Sequence, residues 1–202
     1  AKAIDKKREY IILNSDNQLT KKNYEYYQHL INQRLNGKPI AYILGKKDFW
    51  KYEFKIMEGV LIPRPDSELI VEHVLNFANY KSKLNILDIG VGSGCLLLSI
   101  LKEKKDFYGT GIDISQKSLD ISNINAEKLN LQNRVKFFKS DIDNFNYGKY
   151  DLIISNPPYI NKQRIKYLER DVREFEPKSA LNGGIDGLSE IRKVIKKTSE
   201  LI

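Results

Sequence analysis

The sequence predicts an α/β protein whose centre is a parallel β-sheet, and two observations carry this prediction. From residue 84 onward, short apolar runs of strand length alternate with longer runs of helix length, and the apolar runs stop at glycine, acidic or proline residues. Such alternation gives parallel strands joined by right-handed crossovers. We therefore predict strands over 85–89, 108–114, 135–140 and 150–155, with helices over 95–104 and 116–129.

The segment 1–45 is predicted to be helical. Tyr24, Tyr27 and Ile31 recur at helical spacing, and Thr20 is a suitable N-cap in front of them. We expect this segment to be a unit separate from the sheet.

A β-hairpin is predicted within 46–64, which links the helical segment to the main domain at 65–202. Residues 52–56 alternate between apolar and charged side chains, and a second apolar run occupies 60–62. We expect these two runs to pair.

The main domain is predicted to begin and end with helices. The proline-containing segment 63–68 should be extended and should cap a helix over 69–77. The closing helix is expected to place on one side Ile191, Val194, Ile195 and Leu201.

The composition narrows the class of protein. No apolar run reaches the roughly 18 residues of a membrane span, so we expect no membrane association, and the single cysteine, Cys95, fits a reducing, cytoplasmic setting. The net charge of +8 is compatible with a nucleic-acid partner. However, the lysines are dispersed along the whole chain, so we expect no stable nucleic-acid partner.

The motif N-P-P-Y at 156–159 ends the fourth predicted strand. Pro157 and Pro158 cannot donate ladder hydrogen bonds, so the strand must stop at Asn156. In open α/β sheets this carboxyl end is where ligands bind. The Asn156 side-chain oxygen and the Pro157 carbonyl are two acceptors and Tyr159 adds a flat face, a set that suits a planar NH2 group.

A glycine-rich turn follows the first predicted strand. Its glycines, Gly90, Gly92 and Gly94, have the spacing G-x-G-x-G instead of the G-x-G-x-x-G of dinucleotide sites. A tight turn of this kind, preceded by Asp88, favours S-adenosylmethionine over a dinucleotide. Asp113 ends the next strand, where a carboxylate can accept both ribose hydroxyls of an adenosine.

The third predicted strand ends at Asp141, which is followed by Ile142. These residues are placed to meet an adenine, with polar groups for its amine and an aliphatic side chain for its ring. Acids at strand ends also serve as helix caps, so each acid alone is weak evidence. Four strand ends in this order are a much stronger signal.

With these motifs in place, the chain resembles the class I S-adenosylmethionine-dependent methyltransferases, and more narrowly the peptide chain release factor N5-glutamine methyltransferases. Residues 34–45 are similar to the signature R-x-x-G-E-P-x-A-Y-x-x-G, with Lys38 in place of Glu. Residues 60–68 resemble V-L-I-P-R-P-E-T-E, and residues 176–188 resemble E-P-x-x-A-L-x-G-G-x-D-G-L.

The resemblance implies a Rossmann-like class I methyltransferase sheet. Members of the family usually carry a longer N-terminal helical bundle and three more strands. We therefore expect residues 1–45 to be a remnant of a helical substrate-recognition domain and the methyltransferase domain at 65–202 to be C-terminally incomplete.

The resemblance also implies the site. S-adenosylmethionine, leaving as S-adenosylhomocysteine, would lie on Gly90, Val91, Gly92, Ser93, Gly94, Asp113, Asp141, Ile142 and Asn156. A glutamine of the Gly-Gly-Gln motif of a class I release factor would lie on Asn156, Pro157, Pro158 and Tyr159. Asn156, Pro157 and Tyr159 are the predicted catalytic residues, and Arg64 is a candidate for the substrate entrance or for a structural salt bridge. We expect a monomer without a metal ion.

Two alternatives fit part of the pattern. An adenine-N6 methyltransferase acting on DNA or RNA would use the same corner, because the adenine amine is also planar. An inactive binding module with a methyltransferase shape is the second alternative. Methylation assays on release factor and on unmethylated DNA distinguish the first alternative from a glutamine methyltransferase. Calorimetric titration with S-adenosylmethionine tests the second, because an inactive module need not bind the cofactor.

Overall fold

A computed structural model describes residues 1–202 apart from the side chain of Asn79. Its strands are β1 (Lys46–Phe49), β2 (Tyr52–Lys55), β3 (Asn85–Ile89), β4 (Tyr108–Asp113), β5 (Val135–Lys139) and β6 (Leu152–Ser155). Its α-helices are α1 (Arg8–Leu13), α2 (Lys21–Leu35), α3 (Ile40–Leu44), α4 (Glu68–Phe77), α5 (Cys95–Glu103), α6 (Gln116–Lys128), α7 (Arg170–Phe175) and α8 (Ser189–Leu201).

The central sheet has the order β5-β4-β3-β6, and all its strands are parallel. From β3 the chain moves outward through β4 and β5 and then crosses to the other side of β3 to form β6. The reversal between β3 and β6 is a topological switch point, which in such sheets opens a crevice beyond the strand ends. The predicted α/β class with a parallel sheet and a preceding hairpin is confirmed.

Two apolar layers cover the sheet because successive strand residues point to opposite faces. On one face Ile86 packs among the buried residues of α4, α5 and the hairpin, including Leu97 and Phe54. On the other face Leu87 packs with a smaller cluster that includes Leu201 of α8. The sheet is therefore buried on both faces, as expected of parallel strands.

The predicted pairing of the hairpin is wrong. β1 and β2 pair in antiparallel register, from Lys46 opposite Lys55 to Phe49 opposite Tyr52, and residues 60–62 form no strand. The polar backbone of that run bonds to side chains instead: the Val60 carbonyl accepts from the Tyr42 hydroxyl at 2.6 Å, and the Ile62 N–H donates to Glu176 at 3.2 Å. These bonds replace a ladder.

Three smaller expectations also need correction. β6 begins at Leu152, two residues later than predicted, because the Tyr150 N–H donates to the Leu201 carbonyl. The segment 63–68 is not extended throughout, because residues 65–67 form a short 3-10 helix, and the Ser67 side chain makes no capping bond at α4. On α8, Ile195 is 67% exposed whereas Leu201 is 3% exposed, so the buried side of that helix excludes Ile195.

The helical segment before the hairpin has little buried surface. Thr20 caps α2 as predicted, its hydroxyl accepting from the Asn23 N–H at 3.3 Å, yet α1 and α2 contain no buried residue. Among the described residues, no helix is long and apolar enough to cross a membrane.

Candidate active site

A cleft of about 320 Å³ opens at the carboxyl ends of all four parallel strands. Residues from each strand end line it, together with the segment around Arg64 and Ser67 that leads into α4. The sequence-predicted residues that line it are Arg64, Gly90, Val91, Gly92, Ser93, Asp113, Asp141, Ile142, Asn156, Pro157 and Pro158. The fold therefore brings most of the predicted site to one place.

The glycine turn at the end of β3 is anchored to β4. The N–H groups of Gly90 and Val91 both donate to the Ile112 carbonyl, at 2.9 and 3.0 Å. Gly90 has a φ of 78°, and no atom lies within 4 Å of the point where a Cβ would stand. Its backbone is thus open to a ligand, as a close approach requires.

Gly94 has a different reason to be glycine. It also has a positive φ, 80°, but a Cβ there would lie 2.8 Å from a methyl group of Leu98. Gly94 is needed for the close packing of the turn on α5, and it does not line the cleft.

Asn125 holds the turn from behind. Its amide oxygen accepts from the Lys55 N–H at 2.7 Å, and its NH2 group donates to the carbonyls of Lys55 at 3.0 Å and Ser93 at 2.9 Å. The side chain is buried. The sequence did not predict a role for Asn125, although its place among buried residues such as Ile121 and Ala126 on the inner side of α6 was a visible signal.

Asp113 and Asp141 both lie at strand ends, and both already accept backbone hydrogen bonds. Asp113 accepts from the N–H groups of Gly92 at 3.0 Å and Ser115 at 2.8 Å. Burial raises the pKa of Asp113, and these bonds oppose that effect. Asp141 caps a short 3-10 helix by accepting from Asp143, which places the buried Ile142 against the cleft.

Asp88 lies within β3, two residues before Gly90, and its side chain is almost completely buried. Among the residues that the structure describes, neither carboxylate oxygen has a hydrogen-bond partner. Burial raises the pKa of Asp88 to about 7, and the nearby charge of Asp113 adds to the shift. Burial also raises the pKa of the Cys95 thiol, to about 12, so this cysteine is not a thiolate nucleophile at neutral pH.

The corner after β6 is held from two sides. The Ser155 hydroxyl donates to the Ile89 carbonyl at 2.7 Å, and the Asn156 NH2 group donates to the Ser67 hydroxyl at 3.1 Å. Pro157 and Pro158 lie in the cleft wall. Tyr159 does not line the cleft, and its side chain is 59% exposed.

A glycine-rich segment packs behind this corner. The Ile160 N–H donates to the Leu181 carbonyl at 3.0 Å, and the Gly183 N–H donates to the Ile160 carbonyl at 2.9 Å. A Cβ on Gly183 would stand 2.8 Å from the Pro158 carbonyl, and one on Gly187 would stand 2.5 Å from the Tyr159 carbonyl. Only glycine lets the two segments approach this closely.

Arg64 forms the structural salt bridge that the sequence left as one of two possibilities. Its guanidinium donates to the Glu176 carboxylate at 2.6 Å, and Glu176 also accepts from the Ile62 N–H. The Glu176 side chain is 1% exposed and that of Arg64 is 34% exposed. Arg64 also lines the cleft, so the bond fixes a charged group at its wall.

Comparisons with known proteins identify the family. A model described as the PrmC N-terminal domain matches residues 1–45, and one described as the methyltransferase small domain matches residues 65–173. A release factor glutamine methyltransferase from Buchnera aphidicola subsp. Acyrthosiphon pisum is 42% identical over 195 residues, which are 96% of this chain and 69% of that protein. The chain belongs to the release factor glutamine methyltransferase family.

Another member of this family, from Clostridium acetobutylicum, is 37% identical over 202 residues, which are 98% of this chain and 71% of that protein. Among solved structures, a candidate RNA methyltransferase from Pyrococcus horikoshii matches with a TM-score of 0.50 and 16% identity, over 70% of this chain and 56% of that one. At this identity the match shows the methyltransferase fold alone. The predicted family is thus confirmed for this methyltransferase chain.

Proposed function

We propose that this chain transfers a methyl group from S-adenosylmethionine to the side-chain amide nitrogen of a glutamine in a peptide chain release factor. The observation that carries the proposal is the position of the acceptor corner, Asn156 and Pro157, in the same cleft as the glycine turn. Membership of the family supports the substrate, because its members are named for that reaction.

The cofactor fits the residues at the strand ends. Gly90 leaves its backbone open to a ligand, Asp113 offers a carboxylate beside it, and Ile142 supplies an apolar surface. When bound, S-adenosylmethionine supplies an electrophilic methyl group on a sulfonium centre. The turn has no phosphate-binding spacing, which agrees with a cofactor that carries no phosphate.

The corner after β6 is suited to hold an amide. A glutamine nitrogen is a weak nucleophile because its lone pair is delocalised into the carbonyl. Two acceptors, the Asn156 side-chain oxygen and the Pro157 carbonyl, would bind its two protons and fix the direction of the nitrogen. The fixed φ of Pro158 keeps the corner rigid. Orientation of this kind contributes roughly 7–11 kcal/mol in favourable cases, so no strong base is needed before transfer.

The remaining parts of the proposal concern the partner. We propose that the glutamine belongs to the Gly-Gly-Gln loop of a class I release factor and that Arg64 and Tyr159 contact this loop. Tyr159 is exposed beside the cleft, and Arg64 is fixed at its wall. The helices in 1–45 would contact the body of the release factor, since α1 and α2 leave their apolar side chains uncovered. We propose a monomeric, cytoplasmic enzyme.

Methylation of a purified release factor tests the proposal. The chain should add one methyl group to the glutamine, measured by mass spectrometry of the peptide. Asn156→Ala should reduce transfer to background while S-adenosylmethionine affinity, measured by calorimetry, stays within about tenfold, or about 1.4 kcal/mol. The control Asn76→Ala changes an exposed asparagine of α4 and should behave as wild type.

Two results would contradict the proposal. If Asn156→Ala methylated the release factor at the wild-type rate, the Asn156 oxygen would not be needed as an acceptor for the substrate amide. Methylation of adenine in unmethylated DNA, without methylation of the release factor, would instead favour the nucleobase alternative.

A further inference from the structure

The side chain of Asn156 can present either its oxygen or its NH2 group to the cleft. The two orientations differ by a rotation of the amide, and they have opposite consequences for a substrate amide. The oxygen would accept a proton from the substrate NH2 group, whereas the NH2 group would face it donor to donor. A mechanism that uses the oxygen therefore needs a group that fixes the orientation.

We propose that Ser67 is this positioning residue. Its hydroxyl lies 3.1 Å from the Asn156 side-chain nitrogen and accepts a hydrogen bond from it. With the NH2 group bound to Ser67, the Asn156 oxygen would be the end of the amide that is presented to the substrate. This inference rests on the proposed function, because it explains how one of its two acceptors is oriented.

Ser67 is well placed for this role because its backbone is fixed and its side chain is free of the helix. Its N–H donates to the Arg64 carbonyl at 3.0 Å, within the short 3-10 helix Pro65–Ser67. The hydroxyl makes no capping bond to α4. The next residue, Glu68, accepts from the Trp50 N–H at 2.8 Å, which ties the start of α4 to the hairpin.

The position of Asn156 itself is set by its neighbours. The preceding residue, Ser155, is bound through its hydroxyl to the Ile89 carbonyl at 2.7 Å, and the next residue is a proline. Ser67 and Asn156 are both partly buried and both line the cleft. The bond between them joins the linker before α4 to the strand end, two parts of the chain that are 89 residues apart.

Kinetic measurements on two variants test the role. Ser67→Ala removes the acceptor and should lower kcat by about 10- to 100-fold, as misplacement of a reacting group does. The KM for the release factor and the Kd for S-adenosylmethionine should change less than kcat does. Ser67→Thr keeps the hydroxyl and should restore kcat to near the wild-type value. The control Ser199→Ala changes an exposed serine of α8 and should have no effect.

A measurement without substrate separates this inference from the proposed function. The side-chain NH2 signals of Asn156 in nitrogen-15 NMR should be protected from solvent exchange in the wild type and in Ser67→Thr, and should lose protection in Ser67→Ala. This readout is valid even if no release factor is methylated.

The role of Ser67 would be overturned by an unchanged kcat in Ser67→Ala, by a Ser67→Thr variant as impaired as Ser67→Ala, or by Asn156 signals that do not respond to Ser67→Ala. A loss that appears equally in KM, cofactor Kd and thermal stability would also overturn it, because that pattern indicates a purely structural effect.

Discussion

Replacement of Glu176 by alanine should destabilise the chain by about 3 kcal/mol. The change leaves the Ile62 N–H without its acceptor, and a buried unsatisfied donor costs about 1–3 kcal/mol. It also leaves the Arg64 guanidinium without its partner, a loss of about 3–5 kcal/mol for a fully buried pair. Because the Arg64 side chain is 34% exposed, water replaces much of its salt bridge with Glu176, so the total loss of unfolding free energy falls to about 3 kcal/mol.

Denaturant unfolding and calorimetry measure this loss. For a chain of this size, about 3 kcal/mol corresponds to a fall in Tm of roughly 6–12 °C. Glu176→Gln keeps one acceptor oxygen and should lose less than alanine does. Glu174→Ala is the matched control on α7, because Glu174 pairs with the exposed Arg170 and Arg173, and it should cost at most about 1 kcal/mol. Equal losses at positions 174 and 176 would refute the reasoning.

Two further predictions concern Asp88 and Gly187. Burial raises the pKa of Asp88 from its ordinary value of 3.8 to about 7, so the folded protein favours the neutral acid. This contribution to the free energy of unfolding is complete below about pH 4. It is lost as the pH rises through 7. Asp88→Asn should therefore be more stable than wild type by up to roughly 4 kcal/mol at about pH 8, and the two proteins should be equally stable near pH 4. A difference in unfolding free energy that does not change with pH would contradict this prediction. Gly187→Ala should cost more than about 1 kcal/mol and lower kcat, because its Cβ would press on the Tyr159 carbonyl. Gly148→Ala is the control, with the same φ of 81° but only the Tyr150 side chain in its way, and should keep wild-type kcat.

The sequence predicted the sheet well because local patterns determine its strands. The bounds of β3 agree with the prediction, and the strand ends bring Gly90, Asp113 and Asn156 to one cleft as expected. The parallel orientation of the strands accounts for this, since the carboxyl ends of parallel strands lie at one edge of the sheet. The glycine spacing and the N-P-P-Y motif are local features, so the positions predicted for them do not depend on how distant parts of the chain pack.

What the sequence did not predict depends on partners far along the chain. The hairpin pairing failed because the polar backbone of 60–62 bonds to Tyr42 and Glu176, which no local pattern reveals. The segment 63–68 is predicted to cap α4, yet the hydroxyl of Ser67 within it binds Asn156. Such contacts are set by packing of separate elements, so the roles of these side chains became visible only in the structure.

The hydrogen bonds of Asn125 bear on which residues of the β1–β2 hairpin can be substituted. All three of its hydrogen bonds go to main-chain atoms, two on Lys55 and one on Ser93. Because no side chain of β2 takes part, substitutions of the exposed side chains of that strand, proline excepted, leave these bonds intact. The hairpin surface can therefore diversify its residues, for example to suit different protein partners, without disturbing the turn that the same asparagine supports. The Asn125 side chain in α6 thus fixes both the backbone at the end of β2 and the backbone of the glycine turn.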